Sequence, residues 1–283
     1  MSVSHYENFP VVSWLCPPAL RPPIAAIYWF ARTADDIADE GDASAQRRID
    51  ELARYRRCLH AAAAGHIDGG WPTVFEPLTR TLKQYALPLQ PFEDLLDAFE
   101  QDCTAPTYTD RSMLLDYCRR SANPVGRLVL ALYGVNDTRA LRRSDAICSA
   151  LQLINFWQDA SVDLRRGRLY FPVSDLERHG LSAASLQPGT DNTATRAMAA
   201  DLCDWSREMM LAGAPLALQL PGRIGWELRL VVQGGLRVLN GIAERGHDIL
   251  SHRVTVGPLD LPALLWRACV MRAPNPSPGE GLQ

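Results

Sequence analysis

Apolar residues recur every three or four positions along most of the chain, a spacing that places them on one face of an α-helix. The alternation of apolar and polar residues that predicts strands is nearly absent, as are hairpin turn signals. Short segments rich in Gly and Pro interrupt the helical pattern, and none is long enough to link two domains. The sequence therefore predicts an all-α fold. The predicted helices cover residues 19–38, 43–63, 72–85, 91–101, 111–133, 138–163, 174–180, 194–220, 224–250 and 260–271.

Composition narrows the class of protein. One domain is predicted over residues 1–271, followed by a disordered tail, 272–283, that is rich in Pro and Gly. A content of 47% hydrophobic and 22% charged residues is typical of soluble globular proteins, and the net charge of -3 predicts no nucleic-acid partner. Seven scattered cysteines without a C-x-x-C pair favour a reducing compartment. Because no signal peptide or membrane-spanning apolar run is recognisable, a cytoplasmic protein is expected.

Three oxygen-bearing side chains share one face of the helix predicted for 138–163. Asn155, Asp159 and Asp163 are four residues apart, and such residues differ by only about 40° around a helix axis. Many apolar residues surround them in the sequence LQLINFWQDASVD, and charged groups are rarely buried without a cation. A facing cation is therefore predicted. The alternative is a surface helix whose aspartates are exposed or pair with a nearby arginine, namely Arg165, Arg166 or Arg168.

A second acidic face lies at the end of the first predicted helix, where Asp35 and Asp39 are again four residues apart. Carboxylates at a helix C-terminus oppose the helix dipole, which indicates function rather than stability. If the two faces oppose each other, they form a cavity for Mg²⁺, which is held by carboxylates together with substrate phosphates. A diphosphate with an apolar tail is the expected ligand, since no nucleotide-binding glycine loop and no His or Cys ligand cluster is present in the sequence.

Together these motifs resemble the squalene and phytoene synthases. The resemblance is carried by DDIAD (35–39), DASVD (159–163), YCRRSANPVG (117–126) and HYENF (5–9), and it extends to about residue 253. It implies a single-domain isoprenoid synthase fold with helices around a central active-site cavity. Within the family, HYENFPVVSWL, ARTADDIADEGD and GWELRLVVQGGLRVL are most similar to bacterial hydroxysqualene synthases of hopanoid and squalene biosynthesis.

The resemblance implies a reaction. Presqualene diphosphate would ionise, the cation would rearrange, and water would capture it to give hydroxysqualene, so no nicotinamide cofactor is expected. One alternative is a condensing synthase that makes presqualene diphosphate, squalene or phytoene from two prenyl diphosphates. Another is a non-catalytic helical scaffold, which clustered carboxylates on two helices argue against. The implied partners are presqualene diphosphate and neighbouring enzymes of the squalene pathway.

The resemblance also implies roles for individual residues. Three tyrosines, Tyr28, Tyr117 and Tyr170, would line the site and stabilise a cation, or else be core residues with satisfied hydroxyls. The residues implied to hold Mg²⁺ are Asp35, Asp39, Asn155, Asp159 and Asp163. Those implied to bind the diphosphate are His5, Arg32 and Arg253, with a salt bridge to Asp35 or Asp36 as the alternative for Arg32.

At its N-terminal motif the chain departs from the condensing members of the family. Those members resemble H-x-K-S-F, whereas here Glu7 and Asn8 stand in place of the Lys and Ser. An anion in place of a cation reverses the local electrostatics at a phosphate site. Poor binding of two separate prenyl diphosphates is therefore predicted, and Glu7 or Asn8 is expected to position the attacking water. The alternative is that Glu7 only pairs with an arginine.

Two further features have a structural and a functional interpretation. Three glycines lie inside predicted helices, where they make room either for an isoprenoid chain or for close helix packing: Gly126, Gly234 and Gly235. The segment LPALLWRACVMR near the C-terminus is interpreted as a helix packed on the core, with peripheral membrane contact as the alternative.

Overall fold

The computed structural model describes residues 16–67, 69–104 and 106–272, and all regular secondary structure in this part of the chain is helical. This confirms the predicted all-α fold. Three short 3₁₀ turns accompany the α-helices, at Pro18–Leu20, Ala183–Ser185 and Pro258–Asp260. The α-helices are α1 (Arg21–Asp39), α2 (Ala45–Ala63), α3 (Pro72–Tyr85), α4 (Gln90–Asp102), α5 (Arg111–Ser121), α6 (Asn123–Leu132), α7 (Thr138–Arg165), α8 (Val173–Arg178), α9 (Thr193–Gly213), α10 (Leu216–Gln219), α11 (Gly222–Glu244) and α12 (Leu261–Val270).

Three of the predicted helices end earlier than the sequence pattern suggested. The helix predicted for 111–133 is two helices that meet at Ala122, because the Pro124 ring clashes with the preceding turn and lacks a donor. The helix predicted for 194–220 ends at Gly213, before the short α10. The helix predicted for 224–250 ends at Glu244, and Gly246 has a positive φ of 65° that terminates it.

Two hydrophobic cores lie on either side of the centre of the molecule. The first is built by α1–α4, where the Phe30 ring lies 5.2 Å from Tyr55 and 5.1 Å from Phe92. The second is built by the helices from α5 to α11, with Trp157 fully buried at its centre. Helix α6 joins the two, since its Leu128 belongs to the first core and its Leu130 to the second. A cavity between the two cores is therefore lined by side chains from both cores.

Two helix glycines are required by close packing. A Cβ at Gly235 would lie 2.8 Å from Met210 Cε and 3.2 Å from Leu151 Cδ2. A Cβ at Gly126 would overlap Ser144 Oγ and lie 2.6 Å from Cys148 Sγ. The structural interpretation therefore holds for both positions, although Gly126 also lines a cavity.

Helix α12 buries one face and exposes the other. Leu264 and Ala268 pack on the protein, whereas Trp266 is 68% exposed and Leu259, just before the helix, is 96% exposed. The segment packs on the core as predicted, and its peripheral membrane contact stays a prediction. Within the described ranges, no helix combines the length and apolar character that crossing a bilayer requires.

Candidate active site

Two cavities meet beside α1. The apolar cavity has a volume of about 670 Å³ and lies between α1, α6, α7 and α11. The acidic cavity has a volume of about 1240 Å³ and lies between the ends of α1 and α7. Arg32 and Asp35 line both, so the two cavities adjoin at these side chains. The apolar cavity is lined by residues that include Ile24, Ile27, Val129, Leu151 and Leu228, and the acidic cavity by residues that include Asp36, Asp39, Asp159, Asp163, Arg168 and Arg253.

Helix α1 contributes one wall of the acidic cavity. Arg32 Nη1 lies 3.2 Å from Asp35 Oδ2, and Arg32 Nη2 lies 2.6 Å from Asp36 Oδ1. The salt bridges considered as the alternative role of Arg32 are therefore both formed. Asp39, one turn after Asp35, forms an ion pair with Arg168, which follows the C-terminus of α7. The two acidic faces consequently oppose each other across one cavity.

Helix α7 contributes the facing wall. Asp159 pairs with Arg253, through Nε to Oδ1 and through Nη2 to Oδ2 at 3.2 Å. The partner of Asp159 is thus a distant arginine and not one of the three arginines that follow it in sequence. Gln158 Nε2 donates a hydrogen bond to the Val254 carbonyl, which fixes the backbone beside Arg253.

The remaining two polar residues on this face of α7 have different surroundings. The pKa of Asp163 is raised to about 6, chiefly by burial and also by the negative charge of Asp159. Opposing this, Arg166 and Arg253 lower it. Asn155 is exposed and lines the apolar cavity. The polar stripe of α7 therefore runs from the apolar cavity at Asn155 into the acidic cavity at Asp163.

The donor set fits a hard divalent cation. No group of three or more His, Cys, Asp or Glu side chains close enough to share one metal ion occurs within the described ranges. Mg²⁺ does not require such a group, because it is typically held by one or two carboxylates, substrate phosphates and water. Carboxylate pairs on both walls of one cavity supply that arrangement. The ion pairs with Arg168 and Arg253 show that these carboxylates already bind cationic groups.

Of the three candidate tyrosines, one lines a cavity and two belong to an aromatic cluster of the second core. Tyr28 lines the apolar cavity, one turn before Arg32 on α1. The Tyr170 ring stacks on Phe156 with centroids 3.8 Å apart, and its centroid lies 6.4 Å from that of Tyr117. Tyr117 is 4% exposed, and its hydroxyl donates to Asp102 Oδ2 at 2.8 Å. Tyr117 is thus a buried residue with a satisfied hydroxyl. The N-terminal candidates His5, Glu7 and Asn8 lie outside the described residues.

Asp102 is a residue that the sequence reasoning missed. Its pKa is raised to about 7, chiefly by burial and also by the charge of Asp35, whereas the hydrogen bond from Tyr117 and the charge of Arg120 lower it. The signal was present, because Asp102 continues the apolar stripe that Leu95 and Phe99 form on α4. A carboxylate that follows such a stripe is expected to be buried rather than solvated.

Comparison with known proteins places the chain in a family. A family model of squalene/phytoene synthases matches residues 3–260. A hydroxysqualene synthase from Rhodopseudomonas palustris is 33% identical over 256 residues, covering 90% of this chain and 85% of that protein. A presqualene diphosphate synthase from the same bacterium is 26% identical over 266 residues, covering 94% of each. The crystal structure of squalene synthase HpnC from Alicyclobacillus acidocaldarius is 37% identical, with a TM-score of 0.79, and covers 86% of this chain and 90% of that one. The chain therefore belongs to the squalene/phytoene synthase family.

Proposed function

We propose that the protein converts presqualene diphosphate to hydroxysqualene in a Mg²⁺-dependent reaction, acting as a carbon–oxygen lyase on a diphosphate. The observation that carries this proposal is the junction of the acidic and apolar cavities at Arg32 and Asp35. A substrate with an anionic head and a long apolar tail matches two adjoining cavities of that character. The similarity to a hydroxysqualene synthase over most of both chains supports the choice of substrate.

The acidic cavity is proposed to hold the diphosphate. A bound Mg²⁺ would neutralise the negative charge that develops on the leaving group. Arg32, Arg168 and Arg253 pair with carboxylates and can exchange these for diphosphate oxygens, which guanidinium groups bind strongly. The residues proposed to hold the ion are Asp35, Asp39, Asn155, Asp159 and Asp163, with His5 as a further diphosphate contact.

The apolar cavity is proposed to hold the isoprenoid chain. Its volume of about 670 Å³ lies within the range of ligand pockets. Burial contributes about 0.8 kcal/mol per methylene, so the hydrocarbon supplies most of the gross binding free energy. Tyr28 lines the apolar cavity one turn of α1 before Arg32, and its ring face would stabilise a nearby cation by about 1–2 kcal/mol in a dry site.

A condensing synthase is the second candidate, because the presqualene diphosphate synthase from Rhodopseudomonas palustris covers as much of this chain. Two features favour the first candidate. The identity to the hydroxysqualene synthase of that bacterium is higher, at 33% against 26%. Glu7 and Asn8 also replace the Lys and Ser of the condensing motif.

The two candidates differ in the substrate that the enzyme accepts. Purified protein and Mg²⁺ are incubated separately with farnesyl diphosphate and with presqualene diphosphate, and the extracted products are identified by mass spectrometry. We expect hydroxysqualene from presqualene diphosphate and negligible product from farnesyl diphosphate. Presqualene diphosphate formed from farnesyl diphosphate, at a rate matching the use of presqualene diphosphate, would establish the condensing alternative instead.

A further inference from the structure

The C-terminal end of α1 is held by an arginine that lines neither cavity. Arg48, near the start of α2, is half-buried, and its guanidinium donates to three backbone carbonyls: Nη1 to Ala38, Nη2 to Gly41 at 2.6 Å and Nε to Ala43 at 3.0 Å. These carbonyls belong to the last turn of α1 and to the turn that joins it to α2. One side chain therefore fixes the backbone from the end of α1 to the start of α2.

The end of α1 requires such a partner because its backbone and its side chains carry charge of the same sign. The last carbonyls of a helix carry a partial negative charge and have no hydrogen-bond donor within the helix. The same end of α1 carries the carboxylates of Asp35, Asp36 and Asp39, and Glu40 follows directly. All four side chains line the acidic cavity. A cation bound to the carbonyls therefore offsets the accumulation of negative charge without occupying the cavity.

The facing helix, α7, ends in a different way. Its Asp163 carbonyl accepts from two backbone amides of the turn that follows, both at 2.9 Å, so the chain itself satisfies this helix end. At the end of α1, the backbone instead becomes extended at Glu40, with a ψ of 151°. The Ala38 carbonyl receives its donor from the Arg48 side chain. The conformation at the end of α1 thus depends on a side chain from another helix.

The turn that Arg48 fixes is also part of the acidic cavity. Gly41 lines this cavity, and its φ of 76° is a conformation that residues other than glycine rarely adopt. Glu40, one residue earlier, accepts from Arg32 Nη2 at 3.1 Å, and Arg32 lines both cavities. Asp39 ends α1 and forms its ion pair across the cavity. Movement of this turn would therefore displace side chains that are proposed to bind the ligand.

We propose that Arg48 is a positioning residue, which holds Asp35 and Asp39 in place for Mg²⁺ and diphosphate without contacting either ligand; this inference rests on the proposed function. Without its hydrogen bonds, the end of α1 would open locally and exchange among several conformations. The ligand would then have to order this segment on binding, which lowers the apparent affinity but leaves the bound state unchanged. The expected signature is weaker binding with little change in kcat.

The test compares Arg48→Met with the wild type and with a matched control, Arg47→Met. Arg47 precedes Arg48 on α2, is exposed and lines neither cavity, so its replacement removes the same charge close by. Two quantities are measured on the full-length protein. Calorimetric titration gives the affinity for inorganic diphosphate in the presence of Mg²⁺. Amide hydrogen exchange of the metal-free protein reports opening of residues 36–44, from the last turn of α1 to the turn before α2.

For Arg48→Met we expect faster exchange over residues 36–44 and weaker binding of diphosphate with Mg²⁺. The loss in affinity should be about tenfold, which is the effect of losing one charge-assisted hydrogen bond on an equilibrium constant. Arg47→Met should match the wild type in both measurements. Arg48→Lys keeps a cation at the helix end but loses the planar fork, so its loss in affinity should be smaller.

Turnover supplies a readout that a general loss of structure would not reproduce. At saturating Mg²⁺ and presqualene diphosphate, kcat of Arg48→Met should lie within about threefold of the wild-type value, whereas KM rises with the loss in affinity. If Arg48→Met does not fold, Arg48→Lys serves as the test variant. Wild-type affinity and wild-type exchange in Arg48→Lys would then overturn the inference.

The outcomes distinguish this inference from the proposed function. If the wild type binds diphosphate with Mg²⁺ but forms no hydroxysqualene from presqualene diphosphate, the proposed function fails whatever Arg48→Met shows. If Arg48→Met binds the ligand as tightly as Arg47→Met and its exchange is unchanged, only the inference is overturned. A loss of kcat that saturating Mg²⁺ and substrate do not restore also contradicts it, since Arg48 would then act in the bound state. A wild type that does not bind diphosphate with Mg²⁺ overturns both.

Discussion

The acidic cavity and the apolar cavity share Arg32 and Asp35 but are built in opposite ways. In the acidic cavity, carboxylates from α1 and α7 pair with arginines distant in sequence, such as Arg253 with Asp159. In the apolar cavity, the side chains that α1, α6, α7 and α11 contribute are mostly hydrocarbon. One cavity is therefore suited to bind charge and the other to bind hydrocarbon.

One helix thus serves two kinds of recognition. On α1, Ile24, Ile27 and Ala31 face the apolar cavity, whereas Asp36 and Asp39 face the acidic one. The change occurs at Arg32 and Asp35, within one helical turn. If the acidic cavity binds the diphosphate and the apolar cavity binds the hydrocarbon, a substitution in one cavity should weaken binding of only that part of the substrate.

The largest effect is expected in the acidic cavity. Asp159→Ala should lower turnover of presqualene diphosphate about 100- to 1000-fold, because charge on the departing diphosphate loses its stabilisation. The same variant should lose the rise in melting temperature that Mg²⁺ and inorganic diphosphate together give the wild type. Removing Mg²⁺ with EDTA should abolish wild-type turnover.

Asp145→Ala is the matched control for this prediction. Asp145 lies on the same helix and pairs with Arg127 at 2.6 Å, but it lines neither cavity. Its turnover and its response to Mg²⁺ and diphosphate should match those of the wild type. Full activity of the wild-type enzyme in EDTA would exclude the metal-dependent mechanism.

A smaller effect is expected when the apolar cavity is filled. Ala31→Phe places a ring in the space that several methylenes of the substrate would occupy. Losing three buried methylenes costs ~2.4 kcal/mol, or roughly 50-fold in affinity, which should appear as a higher KM for presqualene diphosphate. Stabilisation by Mg²⁺ with inorganic diphosphate should be unchanged, because that ligand has no hydrocarbon.

The exposed residue Ala63 at the end of α2 provides the control, since Ala63→Phe adds the same ring away from both cavities. The KM of this variant should equal that of the wild type. Should Ala31→Phe weaken binding of inorganic diphosphate as strongly as that of the substrate, the two cavities do not act separately.

The smallest effect is expected in the pH dependence of the free energy of unfolding of the metal-free protein. Between pH 3.8 and about 6, folded Asp163 retains a proton that the unfolded chain loses. The free energy of unfolding should therefore fall as pH rises through this window. Asp163→Asn should reduce that fall and raise stability at neutral pH. Denaturant unfolding of both proteins from pH 4 to pH 8 measures this, and equal slopes would show that Asp163 is not the group responsible.

Asp102 provides a comparison for the pH prediction, because its raised pKa extends the window to about 7. In Asp102→Asn, the fall in stability should therefore be reduced over a wider pH range than in Asp163→Asn. If Asp163 were the more deeply buried group, the wider pH range would instead be seen in Asp163→Asn.

The helices and the acidic faces could be predicted because their signals are local. Four-residue spacing places Asp35 with Asp39, and Asp159 with Asp163, on common helix faces. The break at Ala122 had a local signal too, in Pro124, but the apolar pattern on either side obscured it. Family resemblance supplied the expectation that the two faces belong to one site.

Other features depend on contacts that no local pattern encodes. Arg253 and Asp159 are 94 residues apart in sequence, and their pairing depends on the backbone that Gln158 holds at Val254. The hydrogen bond from Tyr117 to Asp102 likewise requires α4 and α5 to pack against each other. Spacing along one helix indicates which side chains share a face, but not which group from another helix meets them.

The most direct test of the account is the origin of the product oxygen. The wild-type enzyme is given presqualene diphosphate and Mg²⁺ in water enriched in ¹⁸O, with and without NADPH, and the product is analysed by mass spectrometry. We expect hydroxysqualene that carries one ¹⁸O atom, formed equally with and without NADPH. A hydrocarbon product that appears only when NADPH is present would contradict it.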